Sequence, residues 1–275
     1  MSDRIDFAGR TAVITGAASG IGEALAEGLA HRGCNLALAD IDEDGLHRIK
    51  ARLNRQGLRT TATTLDVADE NAIAHFVTFV EREHSGAHLL FNNAGVALGG
   101  EFERISSEDF DWLMSINFWG VVRMTRAFLP ILKRSDRAHI VNISSIFGVI
   151  APYGQTAYSA SKFAVRGFSD ALRHELADSS IGVTTVHPGG VATKIADSAR
   201  APADVSAQEV EKVREISRKL LTMPPPKAAQ IILRGVERGK KRVFVGRDAK
   251  TAALLERLFP ASYWSILSRF VAPQE

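Results

Sequence analysis

The chain has one cysteine, Cys34, in 275 residues, which excludes an intrachain disulfide and any metal site built on cysteines. Excess charge is scarce as well. Against 31 Asp and Glu stand 34 Lys and Arg, and a net +3 is too small to imply a nucleic-acid partner. A late basic cluster (Arg234, Arg238, Lys240, Lys241, Arg242 and Arg247) reads as a solvated face. No apolar run is long enough to span a bilayer, and Met1 to Gly9 lacks the apolar stretch of a signal peptide, so a cytoplasmic protein is expected. Internal repeats and low-complexity tracts are absent. What remains, 45% hydrophobic and 24% charged residues, is the composition of an ordinary soluble globule. The length allows one large α/β domain or two small ones.

Tyrosine is also sparse, at three residues, and one of them is placed for chemistry. Tyr158-Ser159-Ala160-Ser161-Lys162 opens a helical pattern that runs to Ala177, with Phe163, Phe168, Leu172 and Leu176 as its apolar stripe. Positions i and i+4 share a helix face, so the phenol and the ammonium lie side by side. A free tyrosine has a pKa of about 10. A neighbouring positive charge draws it towards the working range of a base. Tyr153 has Ala157 at the same offset and no lysine, and is better placed to line a pocket.

Thr11 to Thr15 reads as a buried strand, and Gly16, Gly20 and Gly22 lead from it into a helix closed by Gly33. Strand, glycine-rich turn and helix suit a dinucleotide, because the backbone can approach a pyrophosphate and the helix start offers free amides. The spacing is G-x-x-x-G-x-G. The same glycines would also serve a turn with close helix–strand packing. Asn35 to Ala39 is the next strand, and Asp40 at its end suits a ribose diol while repelling a 2′-phosphate, which favours NAD over NADP. Asp42 adds to that repulsion and reads as the cap of a helix running to Gln56.

Further strands are expected at Thr60–Leu65, His88–Phe91, Ala138–Ile143, Val183–Val186 and Arg242–Val245, with helices between them. That alternation argues for a single-domain α/β fold: a doubly wound, Rossmann-type parallel sheet of about seven strands with helices on both faces. Asn117 falls in a long helical region from Ser107, in apolar company that would oblige it to find partners. His187 at a strand end reads as structural. Residues 194 to 226 are polar and alanine-rich, carry a helix near Ala207–Leu221 and end at three prolines, as an inserted flap would. A helix resumes at Lys227. The last stretch, 249 to 275, is apolar and divided by Pro260, and is expected to pack on its own domain or a sister subunit rather than on a membrane surface.

Thr15-Gly16-Ala17-Ala18-Ser19-Gly20-Ile21-Gly22, Asn92-Asn93-Ala94-Gly95, Ser145, Tyr158 to Lys162, and Pro188-Gly189-Gly190-Val191-Ala192-Thr193 occur in one order that resembles the short-chain dehydrogenase/reductase family. The resemblance covers about Gly9 to Thr193, plus the Arg242–Val245 strand. It implies a catalytic set of Asn117, Ser145, Tyr158 and Lys162. Tyr158 would be the acid/base, Lys162 would lower its pKa and bind the nicotinamide ribose, and Ser145 would hold the substrate oxygen. Asn117 would position a water that links Lys162 to solvent.

On the cofactor, the resemblance puts Gly16, Ser19, Gly20 and Ile21 beside the pyrophosphate and Asp40 on the adenosine ribose. Asp66 and Val67 would meet the adenine, and Asn93, Ala94 and Gly95 would pack near the ribose. Pro188, Gly189, Val191 and Thr193 would meet the nicotinamide amide. Substrate would touch Ser145, Tyr153 and Tyr158, and no metal is implied. The expected activity is hydride transfer between NAD(H) and a secondary alcohol or its ketone, with a lipophilic substrate hinted at by the apolar tail. A homodimer or homotetramer is expected. The alternatives are an NADPH-dependent ketoreductase and a non-catalytic NAD-binding sensor or scaffold.

Overall fold

In the computed structural model, which describes residues 4–54 and 57–271, seven strands form one parallel sheet in the order β3-β2-β1-β4-β5-β6-β7. The strands are β1 (Thr11–Thr15), β2 (Asn35–Asp40), β3 (Thr60–Thr64), β4 (Leu89–Asn92), β5 (Ala138–Ile143), β6 (Ile181–Pro188) and β7 (Arg242–Val245). Between them run α1 (Gly20–Ala30), α2 (Glu43–Leu53), α3 (Glu70–His84), α4 (Ser107–Met114), α5 (Gly120–Lys133), α6 (Thr156–Glu175), α7 (Ala207–Leu220) and α8 (Pro225–Glu237). After β7 come α9 (Arg247–Leu258) and α10 (Tyr263–Val271). The Gln56 end expected for α2 and the Phe270 side chain lie outside the described residues.

Strand residues alternate between two apolar layers, as a pleated sheet covered on both faces demands. Ile14, Leu36, Leu38, Leu89 and Phe91 pack with Leu25 and Leu29 of α1, Leu46 and Ile49 of α2, and Ile232 and Leu233 of α8. On the other face Val13, Ala37, Leu90 and Ile140 meet Ile73 and Phe76 of α3, Phe128 and Leu132 of α5, and Leu172 of α6. Winding reverses between β1 and β4, so the loops leaving those neighbours open a crevice at the carboxyl edge of the sheet.

Two segments depart from the sequence expectation. The helical region from Ser107 is not continuous: residues Ser115–Trp119 form a π turn between α4 and α5. Such turns form where packing outweighs the regular ladder, and here a Cβ on Gly120 would meet Val67 Cγ2 at 2.7 Å. The prolines at 224 to 226 also start a helix instead of only ending the flap. Pro224 is the N-cap of α8 and Pro225 its first residue, where a missing N–H is no loss.

Candidate active site

The crevice is built first by glycines. Gly16 and Gly20 hold φ of +64° and +56°, a region that side chains disfavour. Deeper in the turn, a Cβ on Gly22 would fall 1.9 Å from Gly16 O and 2.6 Å from Asn93 Nδ2. Asn93 closes the turn from β4: its side-chain amide donates to Thr15 O and Gly16 O, each at 3.0 Å. The Asn93 and Ala94 amides both donate to Thr15 Oγ1 at 3.0 Å. Asn93 is thus the brace of the glycine turn. Asp40 Oδ2 accepts from Ala18 N at 2.9 Å, and Asp40 Oδ1 from Asp42 N at 3.0 Å. Asp42 caps α2 through Gly45 N at 2.9 Å.

Asp66 is exposed and turns the chain by accepting from Ala68 N at 2.8 Å, while Val67 is buried against Gly120. Across the crevice the turn after β6 comes close. Thr193 Cγ2 would lie 3.0 Å from a Cβ on Gly20. Ser19, which precedes α1 in extended backbone, completes that wall, while Ile21 packs on the core. A cavity of about 550 Å³ opens there, bordered by Ser19, Gly20, Asp42, Arg48, Thr193 and Lys194. The glycines let the turn close tightly on Asn93, Ala94 and Thr193, and the amides at the start of α1 suit a pyrophosphate, so the turn is suited to a dinucleotide.

Ser145, Tyr158 and Lys162 converge beside the adjoining strands. Ser145 leaves β5 in extended backbone and its hydroxyl accepts from Phe147 N at 3.1 Å. Tyr158 lies in the first turn of α6, its ring edge-on to Phe147 with centroids 6.1 Å apart. Tyr158 is half-buried as a whole residue. Desolvation nonetheless pushes the pKa up to about 12, opposed by a hydrogen bond with the Ser145 side chain. Lys162 is 4% exposed, and its Nζ lies 5.6 Å from the Tyr158 ring centroid and donates to Ile143 O at 3.3 Å. Burial takes its pKa down to about 8.

The expected lowering of the phenol by the ammonium is therefore corrected. Desolvation dominates at both groups, and the cation stands over the ring face. Asn117 is 1% exposed, and its side chain is held by the backbone of Val96 and the hydroxyl of Ser161. Oδ1 accepts from Val96 N at 2.8 Å, while Nδ2 donates to Val96 O at 2.9 Å and Ser161 Oγ at 3.2 Å. It does stand near the lysine. A Cβ on Gly95 would lie 3.1 Å from Asn117 Oδ1 and 3.3 Å from Lys162 Nζ.

Tyr153, expected to line the pocket, is 73% exposed and donates to Glu101 at the surface, because residues 99–101 pair with the loop before α6. Ser144 is structural, donating to Lys162 O at 2.9 Å. So is His187, which burial takes down to about 4 and which is therefore neutral. With its proton on Nδ1 it would donate to Ser145 O at 3.0 Å. Pro188 ends β6, Gly189 N donates to Val245 O at 2.9 Å, and Val191 is buried. Sequence reasoning missed Asp248, which accepts from Gly190 N at 2.6 Å. An acid two residues after Gly246 was the signal available.

Residues 10–204 match the family model described as short chain dehydrogenase. The chain is 41% identical over 268 residues to SadH of Mycobacterium tuberculosis, covering 97% of this chain and 96% of that protein. It is 33% identical over 271 residues to the Drosophila melanogaster protein named dehydrogenase/reductase SDR family protein 7-like, covering 97% and 82%. A crystal structure of a short chain dehydrogenase/reductase from Burkholderia phymatum in complex with NAD superposes with a TM-score of 0.86 at 30% identity, over 92% of this chain and 95% of that one.

Proposed function

Because the chain belongs to the short-chain dehydrogenase/reductase family, we propose that it transfers a hydride between NAD(H) and a secondary alcohol or its ketone. The cofactor, when bound, supplies or accepts the hydride; the protein orients the two reactants and handles the proton. The observation that carries the reading is the convergence of the Ser145 hydroxyl, the Tyr158 phenol and the buried Lys162 ammonium next to the glycine turn. Tyr158 donates its proton to the substrate oxygen in reduction and removes it in oxidation. With a pKa near 12 the phenol is protonated at neutral pH, which readies it as the acid for a ketone. Ser145 stabilises charge on that oxygen. Lys162 binds the nicotinamide ribose, and Asn117 supports the Gly95–Lys162 surroundings.

Gly16, Ser19, Gly20 and Ile21 take the pyrophosphate, and Asp40 the adenosine ribose. Asp66 and Val67 bound the adenine, with Asn93, Ala94 and Gly95 behind the ribose. Pro188, Gly189, Val191 and Thr193 face the nicotinamide amide. NAD is favoured over NADP because the Asp40 carboxylate sits at the end of β2 against the glycine turn. Residues 194 to 226 act as the substrate flap, tied to residues 97–99 by backbone bonds at Arg200. Exposed Trp119 and Phe163 suit a homodimer or homotetramer. No described helix is long and apolar enough to cross a membrane.

The test is a screen of alcohols and ketones for change in NADH absorbance, with Tyr158→Phe as the blank. Loss of a positioned acid/base should lower turnover about 100-fold or more while NADH still binds. A fully active variant would assign the proton to another group. A wild-type protein that binds NADH and turns over nothing would favour the sensor or scaffold.

A further inference from the structure

The turn that follows β6 is held by more than its own strand. Gly190 O accepts from Met223 N at 2.9 Å, and Ala192 N donates to Met223 O at 2.8 Å, so the end of the flap pairs with it on one side. On the other side stands Asp248, in the first turn of α9, whose Oδ2 takes the Gly190 amide at 2.6 Å. Space for this carboxylate exists because side chains are missing around it. A Cβ on Gly189 would lie 2.1 Å from Asp248 Oδ2, and one on Gly246 would lie 2.1 Å from Asp248 Oδ1. Gly246 also holds φ at +109°, a backbone that another residue would strain.

The same pair of helices grips the loop that carries Ser145. Ala249 and Ala252 of α9 pack with Ile146, Val149 and Ile150. Ala151 N donates to the Tyr263 hydroxyl of α10 at 2.9 Å. One C-terminal segment therefore touches both the turn at 189–193 and the residues immediately after Ser145.

We propose that Asp248 is a positioning residue, and that α9 and α10 form a clamp setting the Gly189–Thr193 turn against the Ser145 loop. This rests on the reading of that turn as the nicotinamide contact. A charged acceptor on a backbone amide is stronger than a neutral one, and it removes freedom from the peptide that must meet the carboxamide. Asp248 acts only through Gly190, so its effect falls on cofactor affinity and on the alignment of the ring, to which reaction rates are steeply sensitive.

Amide exchange read by NMR, NADH titration by fluorescence and steady-state kinetics on wild type, Asp248→Ala and Asp248→Asn test this. In Asp248→Ala the Gly190 amide should exchange on the order of 10-fold faster or more. NADH should bind about 10-fold more weakly and kcat should fall, with thermal unfolding still cooperative. Asn keeps an acceptor oxygen, so Asp248→Asn should lie within about 3-fold of wild type on each readout, with Gly190 exchange still measurably faster. Unchanged exchange at residues 189–193 in the alanine variant overturns the clamp. Faster exchange with unchanged NADH affinity and kcat overturns the positioning role. Should Asp248→Ala fail to fold, an asparagine variant with wild-type exchange at Gly190 overturns the proposal as well. A wild-type protein that binds neither NADH nor NADPH sinks the nicotinamide reading instead, and the exchange data still decide the clamp.

Discussion

Around the glycine turn, polar groups are matched in detail: Thr15 Oγ1 takes two amides, the Asn93 side chain spans two carbonyls, and both Asp40 oxygens accept from backbone. Around Tyr158 and Lys162, a few residues away on the same edge of the sheet, burial has pushed both groups away from their charged forms. The two regions meet different demands. A cradle recognises a ligand with fixed amides and with empty space, so its own side chains can be fully engaged. A group that handles a proton is tuned instead by what is withheld from it: burial brings Lys162 towards neutrality, to about 8, and keeps the Tyr158 phenol protonated until a substrate oxygen can take its proton.

The largest expected effect breaks the cradle. Gly22→Ala would drive a methyl into Gly16 O, a backbone atom that cannot rotate away. Overpacking of this kind destabilises by about 3 kcal/mol, at the upper end of its usual range. We expect a fall in Tm together with loss of NADH binding. An alanine variant that binds NADH normally would show that the turn is looser than its contacts imply.

The next effect has the opposite sign and belongs to the other region. A lysine whose pKa falls from 10.5 to about 8 carries about 3 kcal/mol of unfavourable burial while protonated. Below pH 8 both folded and unfolded chains hold the proton, so the full penalty applies. As pH rises from about 8 towards 10.5, the unfolded chain binds more protons than the folded one, and wild-type stability climbs. Lys162→Met should therefore be more stable than wild type at pH 7, by up to about 3 kcal/mol, and that advantage should shrink above pH 8 while turnover is lost throughout. Denaturant titrations at pH 7 and pH 10 measure it. Equal stability of the two proteins at pH 7 would mean the ammonium is compensated after all.

The same contrast governs what was legible in the sequence. Gly16 and Gly20 could be read because a left-handed backbone is a local demand, met by one residue type. The seven-stranded parallel sheet followed from alternation of strand and helix, and the Tyr158–Lys162 pairing from helix periodicity. What resisted reading depends on partners far along the chain. The π turn at Ser115–Trp119 lies among contacts made from afar, Val67 against Gly120 and Val96 against Asn117. Asp248 meets a glycine 58 positions earlier. The direction of the Tyr158 shift resists reading as well, because charge is visible in a sequence and burial at a helix start is not.

The smallest effect separates two neighbouring carboxylates within the cradle. Asp42 makes a helix cap, through Gly45 N, and has Arg48 at 3.6 Å. Asp40 ends β2 and braces the turn through Ala18 N. Alanine at position 40 would remove brace and charge together. Asp40→Asn is cleaner: its amide oxygen still accepts from Ala18 N, only the exposed bond from Asp42 N is lost, and the charge that repels a 2′-phosphate is gone. We expect its preference for NAD over NADP to relax by about 10-fold, the equivalent of about 1.4 kcal/mol, with Tm little changed. Asp42→Ala should instead lose about 1 kcal/mol of stability as a missing cap, with a smaller change in the ratio of cofactor affinities. If the two variants exchange roles, with cofactor preference following Asp42 and stability following Asp40, then the ribose is read from the start of α2 and not from the end of β2.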